Sequence, residues 1–178
     1  QAGFVIVSGL ANGADTIAHE TAIKHGGKTI AVLGVPLDHS PYPPENAELQ
    51  NVIAKDHLLI SPYRFGMKVD RWFFAKRNEI TAALSAGSVI LQTTTSDRGT
   101  FHEMDYCVKF RRPIFIVEGN FYKYRMGYYN INIDQDWPHE LLKKYPEIVV
   151  RTRSIKDINK YFDIYGMWKE SRAEDEFF

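Results

Sequence analysis

The chain has one cysteine, no excess of either charge and no apolar run long enough to span a membrane. Each shortage closes a class of function. A lone Cys107 excludes a disulfide within the chain, so no cystine scaffold is expected. Lys plus Arg and Asp plus Glu both number 22, so any surface built for a polyanion has to be local. The six histidines are scattered, without the close His/Cys spacing of a zinc site. Neither a metal nor a cofactor is expected. A secretory signal pattern is also missing, which makes a cytoplasmic setting the default.

Apolar residues are plentiful: they make up 44% of the 178 residues, enough for one globular core over residues 1–165, followed by a tail at 166–178. Their arrangement is informative. The run Phe4-Val5-Ile6-Val7 leads into Ser8-Gly9-Leu10-Ala11-Asn12-Gly13-Ala14-Asp15, which reads as a buried strand, a glycine-bearing turn and the start of a helix. Free backbone N–H groups and the helix dipole favour an anion at such a corner. Gly9 and Gly13 suit a turn that needs positive φ or a close backbone approach. Asp15 is expected to cap the helix, with Ser8 as the alternative cap. His19 on this helix is expected to be packed or capping.

One helix later, Gly27-Lys28-Thr29-Ile30-Ala31-Val32-Leu33-Gly34 is a second apolar strand ending in glycine, which completes a βαβ unit. Pro44 suits the first turn of a helix, and Leu49, Val52 and Ile53 mark the apolar face of the segment that follows. Strands are predicted at Leu58-Leu59-Ile60, at 88–93 and at 113–117, with helices over 72–84 and 100–110. Gapless apolar strands of this kind are covered on both faces. The predicted fold is α/β, a doubly wound, mostly parallel Rossmann-like sheet with helices on both faces and ligands at the C-terminal strand ends. Further on, Glu140 to Tyr145 reads as a short helix, and 154–162 as an amphipathic helix with Ser154 as its cap and Asp157 at the capping-box position.

The order and wording of these segments resemble the DprA/Smf family of DNA-processing proteins. The resemblance is carried by Ser8-Gly9-Leu10-Ala11 with Gly13, Asp15, Ala18 and His19, then by Gly27 to Gly34 with Leu37-Asp38, then by Tyr42-Pro43-Pro44-Glu45-Asn46 and Leu49. Phe74-Ala75-Lys76-Arg77-Asn78-Glu79-Ile80 is similar to the family's Phe-Pro-x-Arg-Asn-Arg-Ile-Ile segment. The resemblance implies a Rossmann-like domain that binds single-stranded DNA and, in natural transformation, hands the strand to a RecA-type recombinase. It also implies that a first strand with a Gly-Ser-Arg turn precedes Gln1, so that the chain is a fragment, a truncated product, or one that completes its sheet from a partner. A homo-oligomer is expected, and no membrane partner.

One segment departs from the family. Where its members carry a Ser-Gly-Ser opening to a helix, this chain has Asp97-Arg98-Gly99-Thr100-Phe101-His102-Glu103, more similar to the Gly-Thr-x-x-Glu of the related LOG-type phosphoribohydrolases. That resemblance implies the alternative of a nucleoside-monophosphate hydrolase, with Arg77 holding phosphate and Glu103 acting at the ribose. The favoured reading of Thr100 and Glu103 is a helix N-cap and its capping-box partner. A third reading is a nucleotide-sensing domain without catalysis, whose tyrosine-rich segment 119–136 meets a partner.

The nucleic-acid reading rests on Lys68, Arg71, Trp72, Phe73, Phe74, Lys76 and Arg77, where cations and rings alternate. Two of the three rings are expected in the core. The expected phosphate and nucleic-acid contacts are Ser8, Gly9, Gly13, Phe74, Lys76, Arg77, Asn78, Arg98, Gly99 and Thr100, with Phe74 stacking a base. Cys107, mid-helix among Met104, Val108 and Phe110, is expected to be buried and unreactive.

Overall fold

In the computed structural model, residues 3–91, 98–117 and 137–164 are described here. Their order is β1 (Ile6–Ser8), α1 (Ala14–Lys24), β2 (Thr29–Val32), a 3-10 turn (Pro44–Asn46), α2 (Ala47–Asp56), β3 (Leu58–Ile60), α3 (Trp72–Leu84), β4 (Ser88–Ile90), α4 (Arg98–Phe110), β5 (Ile114–Val117), α5 (Trp137–Lys144), β6 (Val149–Thr152) and α6 (Ile155–Ile164). The architecture is α/β, with two three-stranded sheets ordered β1-β2-β3 and β4-β5-β6. Strand β1 pairs in parallel with β2 (Val7 opposite Ile30), β2 with β3 (Ala31 opposite Leu59), and β5 with β6 (Phe115 opposite Val150). The chain divides into two compact units, one over 3–88 and 96–113 and the other over 89–95 and 114–178.

The core of the first unit is Leu10, Ala31, Leu33, Val35 and Ile53, with Ile23, Leu49, Leu59, Val69 and Phe74 packed against it. Helix α2 supplies Leu49 and Ile53, four residues apart and therefore on one face. In the second unit, Ile114, Phe115 and Ile116 are buried without a gap along β5, as a strand covered on both faces requires. Phe115 meets Phe162 at 5.7 Å and Tyr161 edge-on at 5.3 Å between ring centroids. Ile158 and Phe162 are the buried pair of α6. Asp157 of α6 takes the capping-box position expected of it: its carboxylate accepts the Ser154 N–H at 3.1 Å and the Arg153 N–H at 2.8 Å.

Element limits differ from expectation mainly at α4. It begins at Arg98, so Thr100 is already inside the helix and is not its N-cap. Strand β4 is described only as far as Ile90, and the remainder of the predicted strand falls largely outside the described residues. The segment 119–136 and the tail 166–178 also lie outside them.

Candidate functional site

The turn between β1 and α1 is shaped from within. Gly13 is the N-cap residue of α1, with φ 92°, a conformation that only glycine adopts without strain. Asp15, expected as the cap, instead lies inside the helix and turns back. Its carboxylate accepts the N–H groups of Gly9 and Ala11, each at 3.2 Å. Two amides of the corner that the sequence offers to an external anion are thus taken by an internal one. The Leu10 between them has φ 61°, an unfavourable conformation for a branched side chain, costing about 1–2 kcal/mol. Burial of its side chain and a 2.9 Å hydrogen bond from Asn46 Nδ2 to its carbonyl hold it there.

Gly9 itself does not have positive φ; what it provides is room. A methyl group at this position would coincide with the guanidinium of Arg77, which lies directly against the backbone here. Arg77 also donates from Nη1 to the Val32 carbonyl at 2.6 Å. One side chain from α3 therefore reaches the C-terminal ends of both β1 and β2. Gly34 plays the same part for the Phe74 ring, which is half-buried and sits 5.2 Å from Tyr42.

Helix α3 buries Phe73, Arg77 and Thr81, spaced four residues apart, so its inward stripe contains the arginine. Arg77 is only 8% exposed, and its Nε has no hydrogen-bond partner. Among the described residues no carboxylate lies within ion-pair distance of it. Burial pushes its pKa down, and the fields of Asp15 and Glu103 oppose that shift. The result is a buried cation with incomplete compensation in contact, a costly arrangement in a protein interior.

Glu103 is held by Ser88, whose hydroxyl donates to Oε1 at 3.0 Å. With α4 starting at Arg98, Glu103 cannot complete a capping box with Thr100, and the expected box is absent. Burial drives its carboxyl up to about 7, against the opposing effects of the Ser88 hydrogen bond and the Arg77 charge. Cys107 lies beside the same hydroxyl at 3.2 Å, and burial pushes its thiol up to about 12. The expectation of a buried cysteine is met.

The other expected contacts are placed as follows. Ser8 ends β1, half-buried. Lys76 is exposed but ion-paired with Glu79, which also receives Lys109 at 2.6 Å. Asn78 donates to the Gly99 carbonyl at 3.0 Å, tying α3 to the first turn of α4, where Arg98 is exposed and Thr100 half-buried. Of the three rings, Phe73 is buried and stacked on Tyr63 at 3.8 Å, Phe74 is half-buried, and Trp72 is 54% exposed. The segment before α3 exposes more than sequence reasoning credited, notably Phe65, 72% exposed, between the exposed Arg64 and Lys68. Its signal was the run of aromatic and basic residues from Tyr63 onward. A hollow of about 320 Å³ bounded by Val5, Thr29 and Leu58 lies at the opposite, N-terminal ends of the strands.

Residues 1–150 match the family profile described as DNA recombination-mediator protein A. DNA processing protein DprA of Streptococcus pneumoniae is 40% identical over 116 residues, covering 65% of this chain and 40% of that protein. The X-ray structure of the Streptococcus pneumoniae protein superposes with a TM-score of 0.70 at 32% identity, over 88% of this chain and 52% of the other. A structure of DNA processing protein A from Helicobacter pylori, described as giving insights into a unique single-stranded DNA binding mode, aligns with a TM-score of 0.68 at 27% identity. That alignment covers 89% of this chain and 65% of the other. The chain thus spans less than half the length of the curated Streptococcus relative.

Proposed function

Because the chain belongs to the DNA recombination-mediator protein A family, we propose that it binds single-stranded DNA at the C-terminal ends of β1 and β2 and acts in handing the strand to a RecA-type recombinase. The observation that carries this reading is Arg77, a buried guanidinium set against Gly9 with no carboxylate in contact among the described residues. A phosphate is the natural complement of such a group, since a guanidinium offers paired N–H donors to paired oxygens. Around it, Ser8, Gly13, Lys76, Asn78, Arg98, Gly99 and Thr100 would line the path of the backbone. Phe74 and the exposed Trp72 would meet bases, because a stacking ring accepts any base. A homo-oligomer belongs to the same proposal.

The test is binding of fluorescent oligo-dT across a salt series. Changing Lys76 and Arg77 together to alanine should weaken binding and lower the log–log salt slope by about 0.7–1.4, about 0.7 for each phosphate of a single strand no longer neutralised. An unchanged affinity and slope in the folded double variant would dismiss the groove.

One observation favours a second reading. A carboxyl poised at about 7 within the field of Arg77 is suited to proton transfer, as a nucleoside-monophosphate hydrolase requires. Release of free base from a panel of nucleotides, lost in Glu103→Gln, would select it. Nucleotide binding without turnover or oligo-dT affinity would select a sensing domain instead.

A further inference from the structure

We propose that the turn at 64–67 is a second contact for the DNA strand, in which the Phe65 ring stacks a base while Arg64 and Lys68 hold neighbouring phosphates. The inference rests on the DNA-binding reading above and extends its site along the sheet edge. The Met67 N–H donates to the Arg64 carbonyl at 3.3 Å, and Gly66 between them has φ 74°, the pattern of a type II turn. Phe65 stands at its tip. Among the described residues it is the most exposed of the large apolar side chains, at 72%. Such a ring contributes little to the core, yet the turn that carries it is rooted on several sides. The Asp38 carboxylate accepts the Gly66 N–H at 2.8 Å. The Ser61 hydroxyl donates to the Val35 carbonyl at 2.7 Å and accepts the Tyr63 N–H at 3.1 Å, and the Tyr63 hydroxyl donates to the Phe73 carbonyl at 2.6 Å. A ring on a rooted turn has little backbone freedom to lose on binding.

The same roots fix where the turn lies. Val35 and Asp38 follow β2, and Ser61 and Tyr63 follow β3, so the turn sits beyond the C-terminal ends of β2 and β3. Parallel pairing puts those ends at the same edge of the sheet as the ends of β1 and β2 that Arg77 reaches. A strand held at Arg77 and running along this edge meets Phe65 next. The charges suit a polyanion: Arg64, Lys68 and Arg71 are exposed, and none of them forms an ion pair among the described residues. The neighbouring carboxylates are engaged by backbone amides, Asp38 by Gly66 and Asp70 by the Trp72 N–H at 3.2 Å. Arg64-Phe65 and Arg71-Trp72 each set a cation beside an exposed ring. Alternating cations and rings match a single strand, in which phosphates and bases alternate.

The experiment compares oligo-dT with a strand of the same length built of abasic sites. Phe65→Ala should weaken oligo-dT binding about tenfold, the loss of one stacked base, and leave the weaker binding of the abasic strand unchanged. Phe65→Trp should keep the affinity, whereas Phe65→Leu, apolar but without a π face, should lose it as alanine does. Arg64→Ala together with Lys68→Ala should lower the log–log salt slope by about 1.4, at about 0.7 for each phosphate of a single strand. Phe65 is exposed and lies outside the helices and strands, so its substitution leaves the core intact. Wild-type affinity for oligo-dT in Phe65→Ala or Phe65→Leu, or an equal loss on the abasic strand, would overturn the inference while leaving the Arg77 groove standing. Phe65-dependent binding to phosphatidylserine vesicles, with oligo-dT affinity unchanged by Phe65→Ala, would overturn it in favour of a lipid surface. Absence of oligo-dT binding in the wild type removes the DNA-binding reading itself, and this inference with it.

Discussion

The guanidinium of Arg77 occupies the space in which a side chain on residue 9 would begin, so Gly9 and Arg77 are a single packing unit joining the end of β1 to α3. Arg77 is fixed on its far side by the Val32 carbonyl and has little freedom to retreat. Gly9→Ala should therefore expel the guanidinium or displace the β1–α1 turn, destabilising the fold by about 1–3 kcal/mol, the usual cost of overpacking. Urea unfolding measures it. A variant as stable as the wild type would mean that the side chain relaxes freely, and the close approach would lose its significance.

Asp15 is expected to matter for stability through the turn it braces. Two hydrogen bonds from backbone amides to a charged acceptor make Asp15→Ala costly by about 2 kcal/mol, and Asp15→Asn, which keeps an acceptor oxygen, should recover part of the loss. Equal destabilisation by both substitutions would point to the charge rather than the hydrogen bonds.

His19 gives the fold a sensitivity to acid. Thr29 donates its only hydroxyl hydrogen to the Ile6 carbonyl, so its oxygen accepts from His19 Nδ1 at 2.6 Å, and Nε2 is left buried without a partner. A proton on Nε2 would be a buried, unsatisfied donor. Burial accordingly lowers the pKa from its ordinary 6.5; Asp15 opposes the shift, and Arg77 and His57 add to it. Below 6.5 the unfolded chain takes up protons that the folded chain refuses. Stability from this residue is therefore intact above that pH and is lost progressively as pH falls from 6.5 towards the lowered folded value. The thermal midpoint of the wild type should fall on acidification through this window, and that of His19→Gln should fall less steeply. Parallel curves would exclude His19 as the cause.

Cys107 should be silent toward thiol reagents in the native state. Its sulfur is buried and its thiol is pushed up to about 12, so the reactive thiolate is scarce at pH 8. Labelling should be slow in buffer and complete in denaturant. Fast native labelling would contradict the packing of α4 against Ser88.

Much of the fold was legible because apolar runs, glycines and the Ser154/Asp157 pair carry their own local logic. The strands at 6–8, 29–32, 58–60 and 114–117 and the helix at 72–84 all lie where periodicity places them. The site was legible as a set of residues but not as a set of roles. Thr-x-x-Glu reads as a capping box only if the helix starts at the threonine, and spacing cannot reveal that α4 starts two residues earlier. Asp15 has the right chemistry for a cap, but the tertiary turn of Gly9 and Ala11 offers its carboxylate other donors. Arg77 looks like a surface cation beside Lys76; only the chain fold reveals that it shares the inward stripe of Phe73 and Thr81. The strained residue of the turn is Leu10, whose type does not advertise positive φ.

The carboxylate of Asp15 also has a bearing on selectivity. Tethered four and six residues from the amides it holds, it is present there at a high effective concentration that a small free ion has to outcompete. Inorganic phosphate is poorly placed to do so. On the DNA-binding proposal, a polymer gripped at several points along its length would not need to evict the occupant at all, and the corner would then discriminate by ligand length without reading any base.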